Sequence, residues 1–220
     1  MTLPFGTRFA SSSVPKLYAI VDADVCAAAN KAPADVARAF LSAGAMWLQV
    51  RCKNMASGAF LDLTNHILED AVAAGATLIV NDRADVARLS GAHGLHVGQA
   101  DLMPADARAL IGPDAILGLS THTREQWESA VREPISYMAI GPAFGTGTKD
   151  TGYHAVGLGV IAEAASRAAA SGLPTVAIGG ITIDNARSVI DAGASSVAVI
   201  SDLLKGDPGS RCRAFIQALS

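Results

Sequence analysis

The 220-residue chain is 50 % apolar and only 17 % charged, with 17 basic against 20 acidic side chains and a formal net charge of −3. Such hydrophobicity excludes a disordered coil, and the near-balanced charge leaves no electrostatic footprint for a nucleic acid partner. A mean hydropathy of +0.33 does not imply a membrane span: the long uncharged stretch Ala168 to Ile183 is broken by Gly172, Pro174, Gly179 and Gly180, whereas a bilayer needs about 20 mostly apolar residues in a row. Cys26, Cys52 and Cys212 are odd in number and widely spaced, with no CxxC. This is neither a disulfide framework nor a zinc site, and it points to a reducing, cytoplasmic location. Residues 1–15 carry Arg8 and a Ser11-Ser12-Ser13 run without the apolar core of a secretory leader. They read as an N-terminal arm or capping segment before a catalytic domain over 16–220.

From residue 17 onward, short aliphatic runs alternate with Ala-rich stretches of helical period. The runs are Leu17–Val21, Met46–Val50, Thr77–Val80, Gly94–Val97, Ile116–Leu119, Tyr137–Ile140, Thr175–Ile178 and Ser196–Ile200. Each is nearly continuous in apolar residues, as a parallel strand covered on both faces must be. In the stretch from Phe60 to Val72, residues Leu61, Thr64, Leu68 and Val72 form the expected inward stripe. Gly44, Gly75, Gly172 and Gly193 stand where a helix hands over to the next strand, and Pro33, Pro104 and Pro208 stand where helices begin. Eight strands each followed by a helical segment predict a single-domain α/β fold, a closed (β/α)₈ TIM barrel. The rival is an open doubly wound sheet, but no Gly-rich fingerprint opens the first βα unit.

In such a barrel the active site is built from the loops after the strands, and polar residues gather at these positions. Strand two runs into Gln49, Arg51 and Lys53, whose alternation turns all three side chains to one side and Cys52 to the other. Strand three ends in Asn81-Asp82-Arg83, strand four leads to Asp101, and strand five ends in Ser120-Thr121-His122. Two carboxylates among cations suit Mg²⁺, which takes one or two acids plus phosphate oxygens; helix capping is the alternative role for Asp82 and Asp101. Gly179-Gly180 and Ser201 match the phosphate corner after strands seven and eight. Thr146, Thr148 and Lys149 lie on a Gly-rich loop long enough to serve as a lid. His122 reads equally as an acid–base group or a wall residue, and His96 as structural.

Taken together these segments resemble the thiamine-phosphate synthase family, which joins the pyrimidine and thiazole halves of vitamin B1. The resemblance spans Leu17 to Leu204. It rests on Gln49-x-Arg51-x-Lys53, Asn81-Asp82-Arg83-x-Asp85-x-Ala87, Gly94-Leu-His-Val-Gly-Gln99-x-Asp101 and Gly118-x-Ser120-x-His122. It continues through Gly141-Pro142-x-Phe144-x-Thr146-x-Thr148-Lys149, Ala177-Ile-Gly-Gly-Ile181 and Val197-x-Val-Ile-Ser201. Gly145 stands where many members have Pro. The resemblance implies that Gln49, Arg51, Lys53, Asn81, Ser120 and Lys149 contact a pyrimidine diphosphate, with Arg51, Ser120 and Lys149 catalytic. It implies that Asp82 and Asp101 hold Mg²⁺ as cofactor. Thr146 and Thr148 would meet a thiazole phosphate whose far end rests on Gly180, Ile200 and Ser201. The small-molecule substrates are the expected partners, and a homo-oligomer is left open. A thiazole tautomerase or a non-catalytic phosphate-ligand sensor on the same barrel are the alternatives.

Overall fold

The computed structural model describes residues 14–145 and 152–220. Eight parallel strands pair in sequence order and close on themselves: β1 (Leu17–Asp22), β2 (Trp47–Arg51), β3 (Thr77–Asn81), β4 (Gly94–Val97), β5 (Ile116–Thr121), β6 (Tyr137–Ile140), β7 (Thr175–Ile178) and β8 (Ser196–Val199). Closure is made by Leu17, Tyr18 and Ala19 against Val197, Ala198 and Val199. This disposes of the open-sheet rival. Helices α1 (Ala23–Ala28), α2 (Pro33–Ser42), α3 (Ser57–Ala73), α4 (Ala84–Ser90), α5 (Pro104–Ile111), α6 (Arg124–Ala130), α7 (Gly157–Ala169), α8 (Ala186–Asp191) and α9 (Pro208–Leu219) surround the strands.

The near-continuous apolar strands are buried on both faces, so two separate clusters arise. One lies between strands and helices and includes Leu48, Val50, Leu78, Leu95, Phe40 and Ile67. The other fills the barrel lumen with Tyr18, Ile20, Trp47, Ile79, Ile116, Tyr137, Ala139, Val176 and Ala198. Tyr18 and Trp47 stack with centroids 4.0 Å apart, and Tyr137 meets Trp47 edge-on at 5.0 Å. The lumen is therefore a packed plug beneath the rim, and the strand ends above it form a solid floor.

Local signals act as expected at the helix ends. Pro33, Pro104 and Pro208 open α2, α5 and α9, where their missing N–H is no loss. Gly44, Gly75, Gly172 and Gly193 all take positive φ. The stripe of α3 is a correction: Phe60, Thr64, Ile67 and Ala71 are its buried residues, while Val72 is 59 % exposed. Thr64 is common to both sets, and Leu61 and Leu68 pack partly buried against the same core, so Val72 alone of the expected stripe is turned out. Residues 1–13, most of the expected arm, lie outside the described residues.

Candidate active site

The site is assembled from the carboxyl ends of the strands. At the end of β1 the buried Asp22 caps α1, its Oδ1 accepting from the backbone N–H groups of Asp24 and Val25 at 3.0 Å each. Its Oδ2 pairs with Nη1 of Arg51. One carboxylate thus anchors both a helix start and the guanidinium that closes β2. Asp22 was missed from sequence because it looks like the last residue of an apolar run; the following Asp24 at capping distance was the available signal. Gln49 faces the lumen and donates to Tyr18 Oη at 2.8 Å. Cys52 points the other way into the helix-facing core, where burial first and Asp22 second push its thiol up to about 12. It is a packed, protonated thiol.

Lys53 pairs with Asp82 at the end of β3. Asp82 adopts φ +62, a left-handed conformation that non-glycine residues take at a cost of roughly 1 kcal/mol or more. Its side chain does not cap α4, whose N-cap is Arg83, and Asp101 does not cap α5, whose N-cap is Met103. The capping alternative is therefore not realised for either acid. Asp101 instead accepts the Gly98 N–H at 2.8 Å and lies within hydrogen-bonding reach of Asp82. Burial, then the neighbouring Asp82, raise its carboxyl above the usual range, against the pull of Gly98 N–H and Lys53. Among the described residues no cluster of three or more His, Cys, Asp or Glu forms a metal site. Asn81 is buried at the end of β3, in register with His96.

On the opposite side a cavity of about 260 Å³ is lined by Ser120, His122, Gly180, Ile200, Ser201 and Lys205, among others. Gly179 and Gly180 take φ +98 and +65. A Cβ at Gly180 would lie 2.6 Å from Gly145 O and 2.8 Å from Phe144 Cβ, so only glycine lets this turn close over the β6 loop. His122 Nδ1 is 2.6 Å from Gly141 O, and the ring stacks on Tyr153 at 4.2 Å; it belongs to the cavity wall. Lys205, which sequence reading did not single out, pairs at 2.7 Å with the buried Asp202. It stands four residues after Ser201, just past a short 3₁₀ turn, and gave no motif to find.

Ser120 stands between the two groups. It lines the cavity, its carbonyl accepts from Gln99 Nε2 at 2.6 Å, and Asp101 follows Gln99 on that same loop. Its hydroxyl is 2.8 Å from His96 Nε2. The structure thus brings Lys53, Asp82 and Asp101 together, sets Arg51 against Asp22, and groups Ser120, Gly180, Ile200 and Ser201 around the cavity. Thr146, Thr148 and Lys149 lie outside the described residues.

Comparisons with known proteins point the same way. A family model described as thiamine monophosphate synthase matches residues 17–203. A thiamine-phosphate synthase of Koribacter versatilis is 45 % identical over 211 residues, covering 94 % of this chain and 96 % of that protein. One from Roseiflexus castenholzii is 42 % identical over 201 residues, covering 90 % and 86 %. Among solved structures, a thiamine phosphate pyrophosphorylase from Pyrococcus furiosus superposes with a TM-score of 0.83 at 28 % identity, covering 93 % of this chain and 95 % of that one. The chain belongs to the thiamine monophosphate synthase family and is a transferase of thiamine biosynthesis.

Proposed function

We propose that the chain couples the pyrimidine diphosphate to the thiazole phosphate by letting diphosphate depart from a rim of paired cations and acids. The carbon–oxygen bond from the pyrimidine methylene to diphosphate breaks, and its electron pair leaves on the diphosphate oxygen. The thiazole nitrogen lone pair then forms the new carbon–nitrogen bond. That nitrogen has no proton to lose, so the chemistry asks for charge stabilisation and positioning rather than a strong base. Arg51 is held by Asp22 through Nη1, and the rest of its fork has donors to offer a phosphate. Lys53, 44 % exposed at its side chain, offers a second cation at the same rim. Lys149 would add a third, with Gln49 and Asn81 holding the pyrimidine and Thr146 and Thr148 the thiazole phosphate. Gly180, Ile200 and Ser201 would receive the far end of that phosphate.

The single observation that carries the reading is the Asp82–Asp101 pair. The two carboxylates lie within hydrogen-bonding reach, burial first and Asp82 second raise Asp101, and Asp82 sits on strained backbone. A divalent cation would relieve this, and two acids with phosphate oxygens and waters match the donor set of Mg²⁺. Bound there, Mg²⁺ would supply Lewis-acid neutralisation of the departing diphosphate. Buried, unpaired cysteines, and no helix long and apolar enough to cross a membrane among the described residues, support a cytoplasmic enzyme.

The test is steady-state coupling with each substrate omitted in turn, in wild type and Arg51→Ala. Product is expected only with both substrates, and Arg51→Ala is expected to lower kcat roughly 10²-fold or more. An Arg51→Ala enzyme with undiminished kcat contradicts the reading.

A further inference from the structure

Beneath Ser120 runs a column of buried polar groups of which the reaction as described uses only Gln49, whose Nε2 is turned away into the column. Gln49 Nε2 donates to Tyr18 Oη at 2.8 Å, and Tyr18 Oη lies 3.0 Å from Tyr137 Oη. Tyr137 Oη is 2.8 Å from His96 Nδ1, and His96 Nε2 is 2.8 Å from Ser120 Oγ. Gln49, Tyr18, Tyr137 and His96 are each at most 7 % exposed. The five side chains come from β1, β2, β4, β5 and β6, so the chain crosses the barrel lumen from one wall to the other.

One direction of donation gives each phenol hydrogen in this chain an acceptor within it. With Gln49 Nε2 donating to Tyr18, the Tyr18 hydroxyl hydrogen goes to Tyr137, the phenol oxygen within reach. Tyr137 has one hydrogen left to give, and His96 Nδ1 receives it. A neutral imidazole carries one N–H; with Nδ1 accepting, the hydrogen is on Nε2 and is donated to Ser120 Oγ. Ser120 is thereby an acceptor on its inner side, and its own hydrogen is turned toward the cavity it lines. Burial raises the titration of both phenols far above neutrality, so neither hydrogen is lost at working pH. The fold also clears the crossing point: a Cβ at Gly118 would run into the Tyr137 ring and hydroxyl and His96 Nδ1. The His96 and Tyr137 rings stack with centroids 5.5 Å apart, and Trp47 packs flat on Tyr18, so the rings cannot turn to other partners without repacking the lumen.

We propose that Gln49, Tyr18, Tyr137 and His96 are positioning residues whose one-way hydrogen-bond chain fixes His96 as the Nε2–H tautomer and commits Ser120 to donate its hydroxyl hydrogen to the pyrimidine diphosphate. A serine hydroxyl without such an inner donor rotates among several acceptors; one pre-aimed at developing charge pays no reorientation cost as the bond breaks. The proposal rests on the proposed function and on Ser120 touching that substrate, as the family resemblance implies.

The test combines long-range proton–nitrogen NMR of the imidazoles with kinetics of Tyr137→Phe, Ser120→Ala and the double variant. Wild type is expected to show His96 as the Nε2–H tautomer, and Tyr137→Phe to lose that preference. Tyr137→Phe is expected to lower kcat about tenfold with KM changed less than about twofold. On the Ser120→Ala background the same substitution should change kcat less than about twofold, since the group being aimed is gone. An Nδ1–H tautomer in wild type overturns the proposal, and that spectrum needs no variant to fold. A Tyr137→Phe loss that persists on the Ser120→Ala background, or no loss at all, also overturns it. Ser120→Ala with unchanged kcat overturns the placement of Ser120 at the substrate itself; a deficient Ser120→Ala beside a silent Tyr137→Phe overturns the chain alone.

Discussion

Asp101 accepts the Gly98 N–H at 2.8 Å, while burial first and its neighbour Asp82 second raise its carboxyl against the pull of Gly98 N–H and Lys53. The proposed role for this acid, at a strand-end rim beside a like charge, is to hold a ligand of opposite charge. Asp101→Ala is expected to lower kcat about 10²-fold or more and to leave the melting temperature within a few degrees of wild type, as removal of a partly exposed, repelled carboxylate should. Activity assays beside thermal melts check this; full activity, or collapse of the fold, speaks against it. Cys52 shows the opposite logic at one residue's distance from Arg51. Alternation placed it on the helix side, and its raised thiol agrees with a residue that packs and does not react.

Elements dock on one another through a few polar anchors set in an apolar shell, and Asp202 is one of them. It lies on the 3₁₀ turn Ser201–Leu204 that follows β8, 3 % exposed. Arg211 of α9 reaches its Oδ2 at 2.6 Å, the Ile183 N–H approaches the same oxygen at 3.3 Å, and Lys205 meets Oδ1 at 2.7 Å. Burial alone would raise this carboxyl, but the hydrogen bonds from Lys205 and Arg211 outweigh it and hold it below the usual range. A depressed carboxyl stabilises the folded state above the unfolded value of about 3.9 and loses that contribution as pH falls through the lower folded value. Asp202→Ala is expected to cost about 3 kcal/mol near neutral pH, because it strands the Arg211 charge, and to weaken part of the acid limb of the stability curve. Urea unfolding from neutral pH down to about pH 2 measures both; equal stability of wild type and variant at neutral pH contradicts the role. Strands and helix starts were legible in the sequence because period, Gly and Pro act locally. The centre of the α3 face, Phe60, Thr64, Ile67 and Ala71, was less legible, because flanking apolar positions such as Leu61 and Leu68 fit the same helical period. Asp22 and Lys205 went unnoticed for a related reason: their partners, Arg51 and Asp202, are identified by three-dimensional proximity and not by any motif.

Across the whole molecule, closure of the barrel brings residues from the ends of β1, β2, β3, β4, β5, β7 and β8 to one rim above a plugged lumen. The order of strand-end polar residues along the chain revealed which side chains gather there, since every parallel strand delivers its carboxyl end to the same face. It did not reveal how they pair. That His96 meets Ser120, 24 positions away, and that Gly118 is bare so that Tyr137 can reach His96, follow from barrel register and not from spacing. His96 reads as structural from sequence, and the structure adds its hydrogen bonds to Tyr137 and Ser120. The proposed central event is departure of diphosphate from Arg51, Lys53 and a dication held by Asp82 and Asp101. The most direct test is turnover of the pyrimidine diphosphate and the thiazole phosphate to thiamine phosphate, with Mg²⁺ supplied or removed by a chelator. Turnover is expected to stop on chelation and return with added Mg²⁺; synthesis that continues undiminished in the chelator would contradict the account.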